Sequence, residues 1–159
     1  MTELLVFTFK EGLLSRVAHD LKIVVEKVEV VRNGGSLTVT IAANSLRVRC
    51  AMRGGREDHN ALSASNRREI EGIIAEKILE STRHPTVCYT GEIRGNAVIG
   101  TLTMRGIKQP VVLPWKASGA SIIGEVTLDQ RRFGIQPYRA MMGTLKLKPE
   151  LKVAWRVEG

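Results

Sequence analysis

His19 and Asp20 stand side by side in "RVAHDLKI", and Ser15 lies four residues before the histidine. Serine, histidine and aspartate are the residue types of a hydrolytic relay, in which the imidazole takes the hydroxyl proton and the carboxylate orients the imidazole. The spacing argues against it. In an extended chain neighbours 19 and 20 point to opposite faces, so they form no dyad. The Gly-x-Ser-x-Gly elbow of serine hydrolases is absent as well. His19 therefore reads as a hydrogen-bonded structural residue or as pocket lining, and no catalytic residue is assigned.

Metal chemistry would draw on His19, His59, His84, Asp58 and Cys88. No pair among them shows a Cys-x-x-Cys or His-x-x-x-His spacing, so no metal site and no cofactor is expected. "MRGGRED" at 52–58 has glycines but no Gly-Lys-Ser/Thr ending, and it reads as a mobile surface loop rather than a phosphate cradle. Arginines cluster at 47–56, at Arg67-Arg68 and at Arg131-Arg132, and the net charge is +8. Such a balance favours anionic partners. Aromatic residues are only 4% of the chain and do not interleave with the arginines, which disfavours a stacking platform for nucleic acid. A basic module with a solid core, binding nucleic acid or acidic surfaces, is the alternative to the reading developed below.

A further polar group sits in "LTMRGIKQPVVLPW" (102–115), where two strand-like runs flank a turn carrying Arg105, Lys108 and Gln109. These side chains either solvate a hairpin tip or contact the polar head group of a ligand. Gly106 supplies the turn conformation in both cases.

The elements that would position these groups are mostly strands. In "LKLKPELKVAWRV" Leu145, Leu147, Leu151, Val153, Trp155 and Val157 share one face, while Lys146, Lys148, Glu150, Lys152 and Arg156 share the other. This period of two predicts a long half-buried strand, with a bulge or edge-like stretch at Pro149. The same alternation turns Leu37, Val39 and Ile41 inward, then Val87, Tyr89 and Ile93, then Ile122, Val126 and Leu128. Leu21, Ile23 and Val25 are followed out of phase by Val28 and Val30, which predicts a bulge near Glu26 and Lys27. "RNGG" at 32–35 predicts a hairpin with positive φ at Asn33 and Gly34, and "RGN" (94–96) and "SGA" (118–120) are weaker turn signals. About eight strands joined by short turns favour an antiparallel barrel or sandwich. One segment has helical spacing: Ile70, Ile73, Ile74 and Ile78 predict an amphipathic helix over about 67–80, with Asn66 as N-cap, Glu69 completing its capping box and His84-Pro85 preventing continuation.

The 159 residues suit a single domain spanning the chain. Cys50 and Cys88 make no disulfide framework and read as free thiols of a reducing compartment. The N-terminus lacks a signal-peptide pattern, and no run approaches the ~18 apolar residues of a membrane span. A cytoplasmic location is the expectation.

The order of these pieces resembles the YceI-like family of lipocalin-like, polyisoprenoid-binding proteins over about residues 9–157. The resemblance is carried by "LLSRVAHDLKI", "ANSLRV", "ILESTRHPTVCYTGEI", "VIGTLTMRGIKQPVVL" and "RRFGI". Its most specific part is a Gly-x-Leu-Thr-x-x-Gly-hydrophobic-x-x-Pro-Val pattern, met by Gly100, Leu102, Thr103, Gly106, Ile107, Pro110 and Val111. The family's Arg-x-Phe-Gly-Ile is met by Arg131, Phe133, Gly134 and Ile135, its early histidine by His19, and its proline before an apolar strand by Pro85.

The resemblance implies an all-β fold, an extended eight-stranded antiparallel lipocalin-like barrel with one helix inserted between strands. It also implies a homodimer, and an apolar tunnel that binds or carries an isoprenoid, polyprenyl or quinone-like lipid without catalysis. On that basis the candidate ligand-binding residues are His19, Val39, Ile41, Tyr89, Leu102, Leu113, Trp115, Leu128, Phe133 and Trp155, with Arg105 and Lys108 as head-group candidates. Each inward residue is equally well read as plain core packing.

Overall fold

The computed structural model describes residues 1–11, 19–140 and 145–158. Among these the chain forms fourteen strands: β1 (Thr2–Thr8), β2 (Asp20–Val25), β3 (Val28–Asn33), β4 (Ser36–Ala42), β5 (Leu46–Arg53), β6 (Arg56–Asp58), β7 (Thr86–Arg94), β8 (Ala97–Met104), β9 (Ile107–Pro114), β10 (Lys116–Ser118), β11 (Ser121–Asp129), β12 (Arg139–Ala140), β13 (Leu145–Lys146) and β14 (Glu150–Glu158). They build a seven-stranded antiparallel sheet in the order β10-β11-β14-β1-β2-β5-β6 and a five-stranded one in the order β3-β4-β7-β8-β9, with β12 and β13 as a separate pair. The all-β expectation holds, but the arrangement is two sheets facing a common interior rather than one closed eight-stranded barrel.

The sheets part where the chain turns corners. At Glu26–Lys27 the run predicted to bulge is broken outright, and β2 and β3 go to different sheets. Ser45 fixes this corner. Its carbonyl accepts from Glu26 N (2.9 Å), its hydroxyl accepts from Lys27 N (3.2 Å), and the same hydroxyl donates to Ala42 O (2.7 Å). Polar groups buried at a corner must be paired, and this one side chain serves both crossing strands. The predicted inward residues keep their phase through the break: Leu21, Ile23, Val25, Val28 and Val30 all face the interior.

Pro149 likewise breaks the long C-terminal strand into β13 and β14, and Gln130 caps the break by donating from N to Pro149 O (3.0 Å) and from Nε2 to Lys148 O (3.2 Å). The side chains of Leu145 and Lys146 lie outside the described residues, as does Ser15. The "RNGG" hairpin forms, but Asn33 pairs with Ser36 and the loop is Gly34-Gly35, so only Gly34 takes a positive φ there. "MRGGRED" is a hairpin rather than a mobile loop, with Arg53 paired to Arg56 and Met52 to Glu57.

The helix α1 (Ala64–Ile73) starts earlier than the sequence predicts. Ser63, not Asn66, is the N-cap. Its hydroxyl accepts from Asn66 N (3.0 Å), while Asn66 Oδ1 accepts from Ser63 N (3.2 Å). The box therefore uses an amide where the sequence suggested Glu69. A π-helical turn over Ile74–Ile78 follows, and Glu80 at φ 49° ends it. The helix lies on β5, where a register shift sets Ile23 against Val48 but Lys22 against Cys50. Val48 N donates to Glu71 Oε2 (2.8 Å), which pins helix to sheet at that irregularity. Among the described residues no helix is long and apolar enough to cross a membrane.

Candidate functional site

The inward residues of both sheets enclose a cavity of about 690 Å³. That volume is in the range of small-molecule sites. Thr2, Leu4, Val6 and Thr8 of β1 all line it, so it extends at least six residue steps, roughly 20 Å at ~3.3 Å per residue. Leu151, Val153, Trp155 and Val157 of β14 form the wall beside them, and Ile70, Ile73, Ile74 and Ile78 close one side from the helix. Mid-cavity the wall is apolar. Polar side chains gather towards its ends, with Thr2 and Arg32 at one and Thr8, His19, Gln130 and Tyr138 at the other. Thr8 Oγ1 is buried without a hydrogen-bond partner among the described residues. A buried hydroxyl left unpaired is costly.

Of the residues singled out from sequence, His19, Val39, Ile41, Tyr89, Leu102, Leu113, Trp115, Leu128 and Trp155 line this cavity. Phe133 is placed differently. It is fully buried, clustered with Leu79, Val111, Leu128 and Ile135, which themselves line the cavity. Tyr89 belongs to the same cluster. Its hydroxyl lies 2.7 Å from Val111 O and 3.2 Å from Val98 O, and burial pushes its pKa up to about 12. The ring crosses Gly100, where any Cβ would stand 2.6 Å from the tyrosine oxygen. The glycine is thus needed for the ring to lie flat on the sheet.

Arg105 and Lys108 do not line the cavity. Arg105 and Gly106 form a two-residue turn with φ of 54° and 75°, the geometry that matches the twist of paired strands. The Arg105 guanidinium donates from Nε and Nη2 to Glu80 Oε2 (3.1 and 2.6 Å) and from Nη1 to Gly134 O (2.8 Å). These bonds hold the Glu80 carboxyl below the usual carboxylate range. Gln109 Nε2 donates to Arg132 O (3.0 Å), and Arg132 Nη2 donates to Pro110 O (2.9 Å). The polar tip is therefore a clasp that ties the β8–β9 hairpin to the end of the helix and to the 3-10 turn Gln130–Phe133. Lys108 is exposed.

A second cluster went unread in the sequence. Cys50, Glu57 and His59 bring one sulfur, one carboxylate oxygen and one imidazole nitrogen within 4.8 Å of one another. Cys50 is buried and the other two are exposed. Burial, followed by the Glu57 carboxylate, raises the Cys50 thiol, and the Lys22 ammonium lowers the Glu57 carboxyl. The signal was Glu57-x-His59, two residues apart and so on one face of an extended chain, but Glu57 falls in the segment 52–58 read as a loop.

The family model described as the YceI-like domain matches residues 3–158. No curated protein sequence matches significantly. Among solved structures, BcnA of Burkholderia cenocepacia superposes with a TM-score of 0.60 at 14% identity, covering 98% of this chain and 94% of the other. A polyisoprenoid binding domain from Saccharophagus degradans, implicated in plant cell wall breakdown, gives 0.65 at 11% identity, over 98% and 91%. A mutant CJ YceI protein with a monobromobimane guest gives 0.52 at 13%, over 84% and 79%. At these identities the structural likeness establishes the fold alone.

Proposed function

Because the chain belongs to the YceI-like family, we propose that it binds and carries an isoprenoid-type amphiphile in the cavity between its two sheets, without catalysis. The observation that carries this reading is the cavity itself, about 690 Å³ with an apolar middle. Such a wall offers a hydrocarbon chain its main driving force. Each buried CH₂ is worth about 0.8 kcal/mol, so ten buried carbons contribute roughly 8 kcal/mol before the cost of ordering the chain is subtracted.

The head group is taken at the Thr8–His19 end, where Thr8 Oγ1 lacks a partner among the described residues and His19, Gln130 and Tyr138 converge. Arg105 is occupied by Glu80 and Gly134, and we give it and Lys108 no part in ligand contact. The free thiols of Cys50 and Cys88 support a reducing, cytoplasmic setting. A homodimer is the assembly expected on the family reading, and light scattering of the purified protein checks it.

Native mass spectrometry of the purified protein, followed by solvent extraction and lipid identification, tests the function. An adduct that extracts as a prenyl lipid is the expected result. A bare mass that stays bare after incubation with prenyl lipids overturns the proposal.

A further inference from the structure

We propose that Cys50, Glu57 and His59 form a mononuclear site for a zinc-type divalent cation on the outer face of the seven-stranded sheet. Its position follows from strand register. Leu21 and Ile23 of β2 line the cavity, so Lys22 between them faces away from it, and Lys22 pairs with Cys50. In the β5–β6 hairpin Met52 pairs with Glu57 and Ala51 with Asp58. His59 follows directly on the last paired residue, Asp58, beside Cys50. Three potential ligands therefore share one face. Cys50 and Glu57 are placed by the β5–β6 ladder, and His59 stands in the turn directly after β6. None of the three lines the lipid cavity, so the site is independent of the function proposed above.

The separations suit the ion. Glu57 Oε2 lies 3.8 Å from Cys50 Sγ and 3.7 Å from His59 Nε2. Tetrahedral zinc with its usual bond lengths needs about 3.6 Å between sulfur and oxygen and about 3.4 Å between nitrogen and oxygen. Contractions of a few tenths of an ångström bring these two pairs into range, and the sulfur and imidazole nitrogen, within 4.8 Å of each other, have up to about 1.2 Å to close. Thiolate and carboxylate supply two negative charges to balance a divalent ion, and the mixed sulfur, nitrogen and oxygen set is of the borderline softness zinc prefers. Three protein ligands leave the fourth position to water on the exposed side, where His59 is 63% exposed. The place already holds a cation. Lys22 Nζ stands 3.5 Å from Glu57 Oε2, longer than the ~2.7–2.9 Å of a tight charge-assisted bond. Metal binding displaces this loosely held ammonium.

Cobalt(II) titration of the full-length, chelator-treated protein tests the site, because thiolate ligation gives a near-ultraviolet charge-transfer band and tetrahedral geometry gives intense visible bands. One cobalt per chain with both signals is expected, displaced by zinc. Cys50→Ser removes the charge-transfer band, while Cys88→Ser keeps it. As Cys50 is buried, the exposed ligands give a second reading that does not depend on its replacement folding: Glu57→Gln and His59→Ala each weaken binding at least about tenfold, and Lys22→Met tightens it. A parent protein without a saturable band, a band that follows Cys88, or unchanged affinity in His59→Ala overturns the proposal.

Discussion

Two regions of the interior are written in the same alternating code and end up in different physical states. In the five-stranded sheet, Val87, Tyr89, Val98 and Val111 line the cavity yet are at most 8% exposed, and they share one close-packed cluster with Phe133 at 0%. In the seven-stranded sheet, Val6, Leu151, Val153 and Trp155 line the same cavity but are only half-buried. Alternation sets which side of a strand faces in. Whether that side meets other side chains or empty space depends on what stands opposite. Opposite the first region stand the 3-10 turn with Phe133 and the end of the helix, held there by Arg105, Gln109 and Arg132.

Substitutions that separate filled from hollow sharpen this contrast. The largest effect is expected at Phe133→Ala, which empties a fully buried ring site and costs about 3–5 kcal/mol in urea unfolding. A loss below ~1 kcal/mol there would mean that the region is not close-packed. Leu151→Ala, on the cavity wall, costs less, under about 2 kcal/mol, since its neighbours already face a void.

Val153→Trp inverts the usual rule. In a packed core such enlargement costs ~1–3 kcal/mol, whereas here stability is retained and prenyl-lipid affinity falls at least tenfold, about 1.4 kcal/mol. Val153 pairs with Val6 and Val126, both on the cavity wall, so the indole occupies mid-cavity. Retained lipid binding in that variant would place the ligand elsewhere.

Smaller effects come through protons. Tyr89 has an ordinary pKa of 10.0 when unfolded and about 12 when folded. The unfolded chain ionises first, so stability falls as pH rises from the lower value to the higher one. Tyr89→Phe should flatten that alkaline slope in denaturant melts. Glu80 acts in the opposite direction. Its folded pKa is depressed by Arg105, so its contribution is complete above the unfolded glutamate value of about 4.3 and is lost as pH falls through the lower folded one. Glu80→Gln should therefore lower Tm at neutral pH and converge with the parent in acid. The smallest effect concerns the hairpin tip. Arg105→Ala/Lys108→Ala should loosen the clasp and lower Tm while leaving lipid affinity unchanged in a binding titration, and a tenfold weaker affinity would return the head group to the tip.

Much of this was determined by the sequence alone. Period-two alternation and turn residues settled the all-β class, the inward phase of Leu37, Val39, Tyr89, Leu128 and Trp155, and the helical identity of Ile70 to Ile78. These are local properties, set by the pleat, the helical repeat and φ preferences, which a short window of residues contains. The tertiary structure decided the rest. It split the run at Glu26–Lys27 between two sheets, made Ser63 the cap, and left the space beside β1 and β14 open while filling that beside Phe133. It also turned Arg105 from a solvated tip into a clasp, and brought Cys50, Glu57 and His59 to one point across a segment, 52–58, that read as a loop. Each of these depends on which groups meet across the molecule, and a hydrogen bond, a void or a ligand cluster has no energy until its second partner is in place.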